Sequence, residues 1–296
     1  MQVDGAQWTQ AGLVAQTCGI PLHLPITNHN KFLPKHGYLP KAWCLFDILK
    51  EQGYEQSFMT GMESSYAGVN KFFESHGNLN ILSWEDLKAK FDLDDDHDPI
   101  RKRILRDEEL YQEAREEISR LAKTGKPFSF TIMTMDTHGG NEFLDEENCS
   151  KVYDERHQNV YRCSSKKIGA FIYWLQRQPF YENTTLGIVN EHLSMNDALF
   201  TEDMQRRDLN IIINSAVSPK HGQAKNRHFT PFDMYPTIVE SLGFDIKENK
   251  LGLGVSLYSQ EPTLSEKGYD TYEKLDDELS KRSHLYEYLL YGKALR

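Results

Sequence analysis

No run of apolar residues in the 296-residue chain approaches the roughly 20 needed to cross a bilayer, and the first residues lack the basic and apolar regions of a signal peptide. As it stands, the sequence predicts a soluble chain. Clustered lysine and arginine are missing too: the net charge is −10, and basic runs such as Arg101-Lys102-Arg103 sit beside acidic ones. Neutralising a phosphate backbone needs such clusters, which argues against nucleic acid as a partner. There is no internal repeat and no low-complexity tract. Cysteine is scarce, with four in all. Pairing Cys18 with Cys44 and Cys149 with Cys163 closes two short loops that oxidation can staple. Spacing does not determine connectivity, however, and four buried thiols fit the sequence equally.

What is present is a chain long enough to bury one large core, with 39% hydrophobic residues. Helix and strand signals alternate along it. Thr9 to Cys18 suits a short helix stopped by Gly19 and Pro21, and a second helix through Asp47-Ile48-Leu49-Lys50 ends at Gly53. Strands are expected at Ser57–Thr60, Phe128–Met135, Thr185–Asn190 and Asp208–Ile213, with helices over Ile104–Lys123, about Ser164–Gln178 and Phe232–Leu242. This alternation predicts an α/β fold, a mostly parallel sheet with helices on both faces. Residues 1–255 are expected to form the main domain, and the polar, Glu-, Lys- and Tyr-rich residues 256–296 a peripheral tail.

Two of the strands deliver reactive side chains to one rim. Glu191-His192 closes the apolar run from Thr185, and Asp136-Thr137-His138 follows the run from Phe128. Open α/β sheets place their sites at such carboxyl ends. Thr9, at a helix start, is either an N-cap or a nucleophile facing an incoming phosphate or sulfate, which the helix dipole favours there. Glu191 and His192 either cap the next turn or share a divalent cation that lowers the Thr9 hydroxyl pKa. His138 is either a hydrogen-bonded loop residue or the group that protonates a leaving alkoxide or holds a phosphoryl oxygen.

Taken together, Thr9-Gln10-Ala11-Gly12-Leu13-Val14-Ala15-Gln16-Thr17-Cys18-Gly19-Ile20-Pro21-Leu22, Cys44-Leu45-Phe46-Asp47-Ile48-Leu49, Asn70-Lys71-Phe72-Phe73-Glu74-Ser75-His76-Gly77, Met135-Asp136-Thr137-His138, Val189-Asn190-Glu191-His192-Leu193 and Leu251-Gly252-Leu253-Gly254-Val255-Ser256-Leu257 resemble, in order, the bacterial phosphoglycerol transferases of periplasmic glucans. These are relatives of the lipoteichoic acid synthases in the alkaline phosphatase and sulfatase superfamily. The resemblance implies that Thr9 becomes covalently phosphorylated, that Thr9, Glu191 and His192 bind a divalent metal, and that His138 contacts the substrate phosphate. Manganese is the metal implied first, with zinc or magnesium as alternatives. His76 and Arg207 are weaker candidates for binding the donor headgroup or the acceptor, each with the alternative of an ordinary surface residue. His228, opening His228-Phe229-Thr230-Pro231-Phe232-Asp233, is matched to a structural motif in which an apolar helix packs below the site. The implied reaction moves phosphoglycerol from phosphatidylglycerol to a glucan or other sugar hydroxyl at the periplasmic face of the inner membrane, where both disulfides would form.

The sequence departs from the family in two places. Asn190-Glu191-His192 stands where Ser-Asp-His is usual, and the extra methylene of Glu191 moves its carboxylate by about a bond length. In the family, membrane helices and a first strand ending in an acidic metal ligand precede the nucleophile helix, whereas eight residues precede Thr9 here. The expectation is therefore an N-terminally truncated fold, the carboxyl-terminal portion of a longer gene product. Asp4 is too near Thr9 in sequence to be expected to replace the absent carboxylate, a loop contact being the alternative. Hydrolysis of phosphate or sulfate esters is the alternative activity, although no Cys/Ser-x-Pro-x-Arg motif surrounds Thr9. A remnant that only binds an anionic headgroup or a partner protein is the third reading.

Overall fold

The computed structural model describes residues 2–23, 39–93, 104–140, 142–194, 200–201, 204, 206–219, 225–268 and 271–292. In chain order the elements are α1 (Thr9–Cys18), α2 (Leu45–Glu51), β1 (Glu55–Thr60), α3 (Val69–Ser75), β2 (Asn80–Leu82), α4 (Trp84–Leu87), α5 (Asp107–Ala122), β3 (Phe128–Met133) and α6 (Arg156–Leu175). They continue with β4 (Leu186–Val189), β5 (Asn210–Ile213), α7 (Met234–Ser241), β6 (Lys250–Leu251), β7 (Gly254–Val255), α8 (Tyr272–Leu279) and α9 (His284–Tyr291). Among the described residues no helix is long and apolar enough to cross a membrane.

The fold is α/β, built on a parallel three-stranded sheet in the order β2-β1-β3. Alternation along β1 sorts the two halves of the core, because successive side chains of a strand face opposite ways. Phe58 packs with Leu45, Phe46 and Leu49 of α2, Phe72 and Phe73 of α3, and Ala11 and Val14 of α1. Met59, the next residue, packs with Leu110, Tyr111, Ala114 and Ile118 of α5 and Phe171 and Leu175 of α6. Helices therefore cover both faces, as the sequence pattern predicts. The first face is held by an aromatic cluster in which the Phe58 and Phe73 ring centroids lie 4.3 Å apart and those of Phe46 and Phe73 5.1 Å apart.

The sheet is not continuous. β4 pairs with β5, antiparallel, with Val189 opposite Asn210 and Leu186 opposite Ile213, and no ladder joins β3 to β4 among the described residues. Apolar runs mark a strand without fixing its direction, so the expected parallel partner of β4 is corrected here to an antiparallel one. β3 and β4 are largely half-buried along their lengths, while β1 in the middle of its sheet is almost wholly buried. Helix α6 begins at Arg156, eight residues before the expected start. Its polar first turns are anchored by the Cys149–Cys163 disulfide and by burial of Val160.

Helices α8 and α9 each bury an apolar side chain against the rest of the described chain. Leu275 of α8 is buried with Val3 and Phe232, and Leu290 of α9 sits in the same cluster as Phe58. The His23 amide donates to the Tyr286 hydroxyl at 2.9 Å, and the Asp4 amide to Asp276 Oδ1 at 2.8 Å, so α8 and α9 close over the start of the chain.

Replacing Phe73 by alanine is expected to lower stability by about 3–5 kcal/mol, since the ring is fully buried against three other aromatics. Urea denaturation measures this, and a loss below about 1 kcal/mol would show that the cluster is not the centre of the core.

Candidate active site

Helix α1 starts without a side-chain cap: Trp8 occupies the N-cap with extended backbone and makes no capping bond, and Thr9 is the first helical residue. Its hydroxyl is thus not spent on the helix. Instead Thr9 Oγ1 donates to Glu191 Oε1 at 3.0 Å, across 182 residues of sequence. The same Oε1 lies 3.4 Å from His192 Nε2, and the His192 side chain is only 9% exposed. Two backbone features fix this meeting. Gln16 Nε2 of α1 donates to the Asn190 carbonyl at 2.6 Å. One turn after Thr9, Gly12 lies so close to β4's exit that a Cβ built there would come within 2.3 Å of the Glu191 carbonyl oxygen. Only glycine permits that approach.

The tautomer of His192 is set by its neighbour. Its Nδ1 is 2.7 Å from the Leu193 carbonyl, which can only accept, so Nδ1 carries a proton and the neutral ring presents a lone pair at Nε2. That Nε2 is buried without a hydrogen-bond partner. Burial alone lowers the His192 pKa, but the Glu191 carboxylate, the Leu193 carbonyl and the charge of Asp208 outweigh it and the net shift is upward. A hydroxyl oxygen, a carboxylate and an imidazole nitrogen thus meet at one point.

The other sequence candidates fall in different places. His138 lies just after the turn that follows β3, half-buried, with its amide donating to the Met135 carbonyl at 3.0 Å and its Nδ1 buried without a partner. No hydrogen bond joins it to Thr9, Glu191 or His192 among the described residues. His76 is not a surface residue: it is 2% exposed and its Nδ1 lies 2.7 Å from Asp47 Oδ2, beside the Phe72 ring. Asp47 also accepts the amides of Cys44 and Gly77 at 3.0 Å each, which makes this a structural knot. Cys44, Asp47 and His76 come close enough to suggest a metal site, but Cys44 is bonded to Cys18 and offers no thiolate. Cys149 is bonded to Cys163 in the same way. Arg207 is exposed on the rim of a cavity of about 770 Å³ that is also lined by Gln16, Asn190, Asp208, Asn210 and His228. Thr9, Glu191 and His192 are not part of that lining. Asp4 is engaged with His23 at 3.3 Å.

Asp208 was not singled out by sequence reasoning, which read it only as the start of a strand. The β4–β5 register, carried two residues past Val189 and Asn210, sets Asp208 opposite Glu191, and its charge acts on His192. The signal was present in the sequence as an acidic residue preceding an apolar run, but it became readable only once the antiparallel pairing was known.

The chain matches the model of the sulfatase family over residues 9–244. It belongs to that family. Among relatives of this sulfatase-family chain, phosphoglycerol transferase I of Escherichia fergusonii is 31% identical over 88% of the chain and 34% of the relative. Phosphoglycerol transferase I of Citrobacter koseri is 30% identical over 93% of the chain and 36% of the relative. The chain therefore spans about a third of the length of these relatives. A solved protein of the alkaline phosphatase superfamily from Vibrio parahaemolyticus superposes with a TM-score of 0.67 at 22% identity, covering 90% of this chain and 62% of that one. The lipoteichoic acid synthase LtaP from Listeria monocytogenes gives 0.65 at 12% identity, covering 87% and 65%. Both share the fold.

Behind His138 the sulfatase-family chain buries an unusual set of charges. Asp107, the first residue of α5, accepts the Met135 and Asp136 amides at Oδ1, at 2.6 and 3.1 Å, and Asp136 Oδ1 accepts the Asp107 amide at 3.3 Å. Lys167 Nζ of α6 bridges Asp136 Oδ2 at 3.1 Å and Asp145 Oδ2 at 2.9 Å. Burial, followed by the charge of Asp136, pushes the Asp107 carboxyl up to about 7. Burial raises Asp136 as well, against the pull of Lys167. For Lys167 itself burial works downward, yet the two carboxylates prevail and its pKa is raised.

Two measurements follow from this geometry. Gly12→Ala should lower stability by about 1–3 kcal/mol, because the added methyl must displace the Glu191 backbone, whereas Gly169→Ala inside α6, with nothing within 4 Å, should raise it by about 0.5–1 kcal/mol. Thermal denaturation of both variants compares them directly, and equal effects would show that α1 and β4 do not touch at Gly12. For Asp107, ionisation at 3.8 in the unfolded chain and about 7 in the folded one means that the folded state holds a proton the unfolded state has released. Its contribution is complete below about pH 4 and falls as pH rises to about 7, at no more than about 1.4 kcal/mol per unit. Relative to Asp107→Asn, the parent chain should lose stability over that window in urea titrations; a parent that gains stability would contradict the burial argument.

Proposed function

We propose that this chain carries the catalytic core of a metal-dependent phosphotransferase that moves phosphoglycerol from phosphatidylglycerol to a glucan or other sugar hydroxyl through a phosphothreonine at Thr9. The observation that carries the reading is the convergence of Thr9 Oγ1, Glu191 Oε1 and the partnerless, buried Nε2 of His192. The names of the phosphoglycerol transferase relatives support it. Oxygen, carboxylate and imidazole donors suit a borderline divalent cation, manganese first and zinc or magnesium as alternatives. Thr9, Glu191 and His192 would hold it. Once bound, it supplies positive charge that lowers the hydroxyl pKa and neutralises the transferring phosphoryl oxygens.

The chain's own residues then divide the work. Thr9 gives its proton to Glu191 Oε1, to which it already donates, and Oγ1 attacks phosphorus. The bond from phosphorus to the diacylglycerol oxygen breaks, and His138 protonates that oxygen. In the second half a sugar hydroxyl attacks the phosphothreonine and gives its proton to His138, while the bond from phosphorus to Thr9 Oγ1 breaks and Thr9 takes back its proton from Glu191. Being N1 of α1, Thr9 presents the phosphate to the positive end of the helix dipole. Arg207, at the cavity rim, is assigned to the headgroup or the acceptor, while His76, locked to Asp47, is left with a structural role. The lipid donor sets the place of action at a membrane surface, the periplasmic face of the bacterial inner membrane.

Incubation with phosphatidylglycerol vesicles and manganese should leave a phosphoglycerol adduct on the parent chain, visible by intact mass, and none on Thr9→Ala. An adduct of the same mass on the variant would remove Thr9 from the role. His192→Ala should weaken manganese binding about tenfold or more by calorimetry. Turnover of aryl phosphate or aryl sulfate in preference to phosphatidylglycerol would assign the site to hydrolysis instead, and the absence of any metal binding would assign the chain to a non-catalytic role.

A further inference from the structure

The loop that presents His138 is closed at both ends by one ammonium group. At its start, the Met135 and Asp136 amides are capped by Asp107 Oδ1, and the Asp136 carboxylate turns inward to Lys167. At its end, Asp145 reaches the same Lys167 Nζ from the other side while its own carbonyl accepts the Cys149 amide at 2.8 Å. Between them Phe143 N–H donates to the Asp136 carbonyl at 2.9 Å, so the two ends are also stitched through the backbone. Lys167 is 5% exposed and Asp136 3%, and the Cys149–Cys163 disulfide fastens the loop to the helix that bears the lysine. Arg106 covers the Phe143 ring at 4.3 Å and adds positive charge beside Asp136.

We propose that Lys167 is a positioning residue for His138: by joining Asp136 and Asp145 it ties together the described stretches on either side of residue 141, and so fixes the imidazole two residues beyond Asp136. The proposal rests on the reading of His138 as the proton donor to the leaving group. A compact ammonium can satisfy two carboxylates approaching from different directions, which a planar or apolar side chain of similar length cannot. Without it, Asp136 faces Asp107 with a net negative charge in a buried space, and the loop must open to let water reach them. Displacing His138 by about an ångström is enough to slow a proton transfer tenfold to a hundredfold.

The test uses the full chain and has two independent arms. In the first, long-range proton–nitrogen spectra of the imidazoles, with the His138 signals assigned by loss in His138→Gln, are recorded for Lys167→Gln, for Asp145→Asn and for Leu175→Ala. The last lies in the same helix and core and serves as a control for general destabilisation. Lys167→Gln and Asp145→Asn should both shift the His138 ring signals, while Leu175→Ala should not. Unmoved His138 signals in a folded Lys167→Gln, or an equal movement in the control, would overturn the proposal. Should Lys167→Gln fail to fold, Asp145→Asn, which keeps Lys167 paired with Asp136, decides the matter in the same way. In the second arm, the rate of adduct formation on Thr9 should fall at least tenfold in Lys167→Gln with little change in the donor concentration that half-saturates it; a weaker half-saturation with an unchanged rate would count against positioning. If the parent chain forms no adduct, the transferase reading fails, and the imidazole spectra still settle whether Lys167 places His138.

Discussion

Everything at the candidate site depends on one close approach of main chains, the carbonyl of Glu191 resting against Gly12. Helix α1 and the exit of β4 lie 182 residues apart in the chain, measured from Thr9 to Glu191, and neither can shift along the other without separating the threonine hydroxyl from the carboxylate. The Gln16 bond to the Asn190 carbonyl supplies a second point of attachment on the same face of the helix, about one turn away. Two contacts spaced along an axis fix orientation as well as distance. Precision of that kind is what phosphoryl chemistry asks of a protein, since most of the work lies in placing groups before they react.

The charge distribution follows a common logic in both parts of the site. At Glu191 and His192 an imidazole is wedged between carboxylates, and the neighbouring acids win over burial. Around Lys167 three carboxylates surround one ammonium, and burial wins at Asp107 and Asp136. The first arrangement holds a surplus of negative charge that a cation can relieve. The second relieves its surplus by keeping a proton. The first sits at the exit of β4, the second at the turn that follows β3.

Much of this was legible in the sequence, for particular reasons. Helix α1 could be bounded because Gly19 adopts a left-handed conformation with φ of 69° and its amide closes on the Ala15 carbonyl, a stop that Gly followed by Pro21 announces. The runs behind His138 and Glu191 read as strands because they are apolar and short. Direction is not legible: nothing in Leu186–Val189 states whether its neighbour runs with it or against it, so the antiparallel β5 and the place of Asp208 are set by the fold alone. His76 reads in the sequence as either a headgroup-binding residue or a surface one, although Phe72 and Phe73 one turn earlier mark the buried face to which it belongs. The Asp107, Asp136 and Lys167 cluster joins three elements whose pairing no local pattern encodes.

The tautomer of His192 has a further bearing on how the site tolerates change. Its orienting partner is the carbonyl of Leu193, a group that every amino acid possesses, whereas the ring of His76 is steered by the side chain of Asp47. One substitution can disorient His76. None at position 193 can take away the acceptor that directs His192, so the lone pair facing Glu191 is guarded against point mutation by the polypeptide itself, and drift in the residues around it leaves the ring's polarity intact.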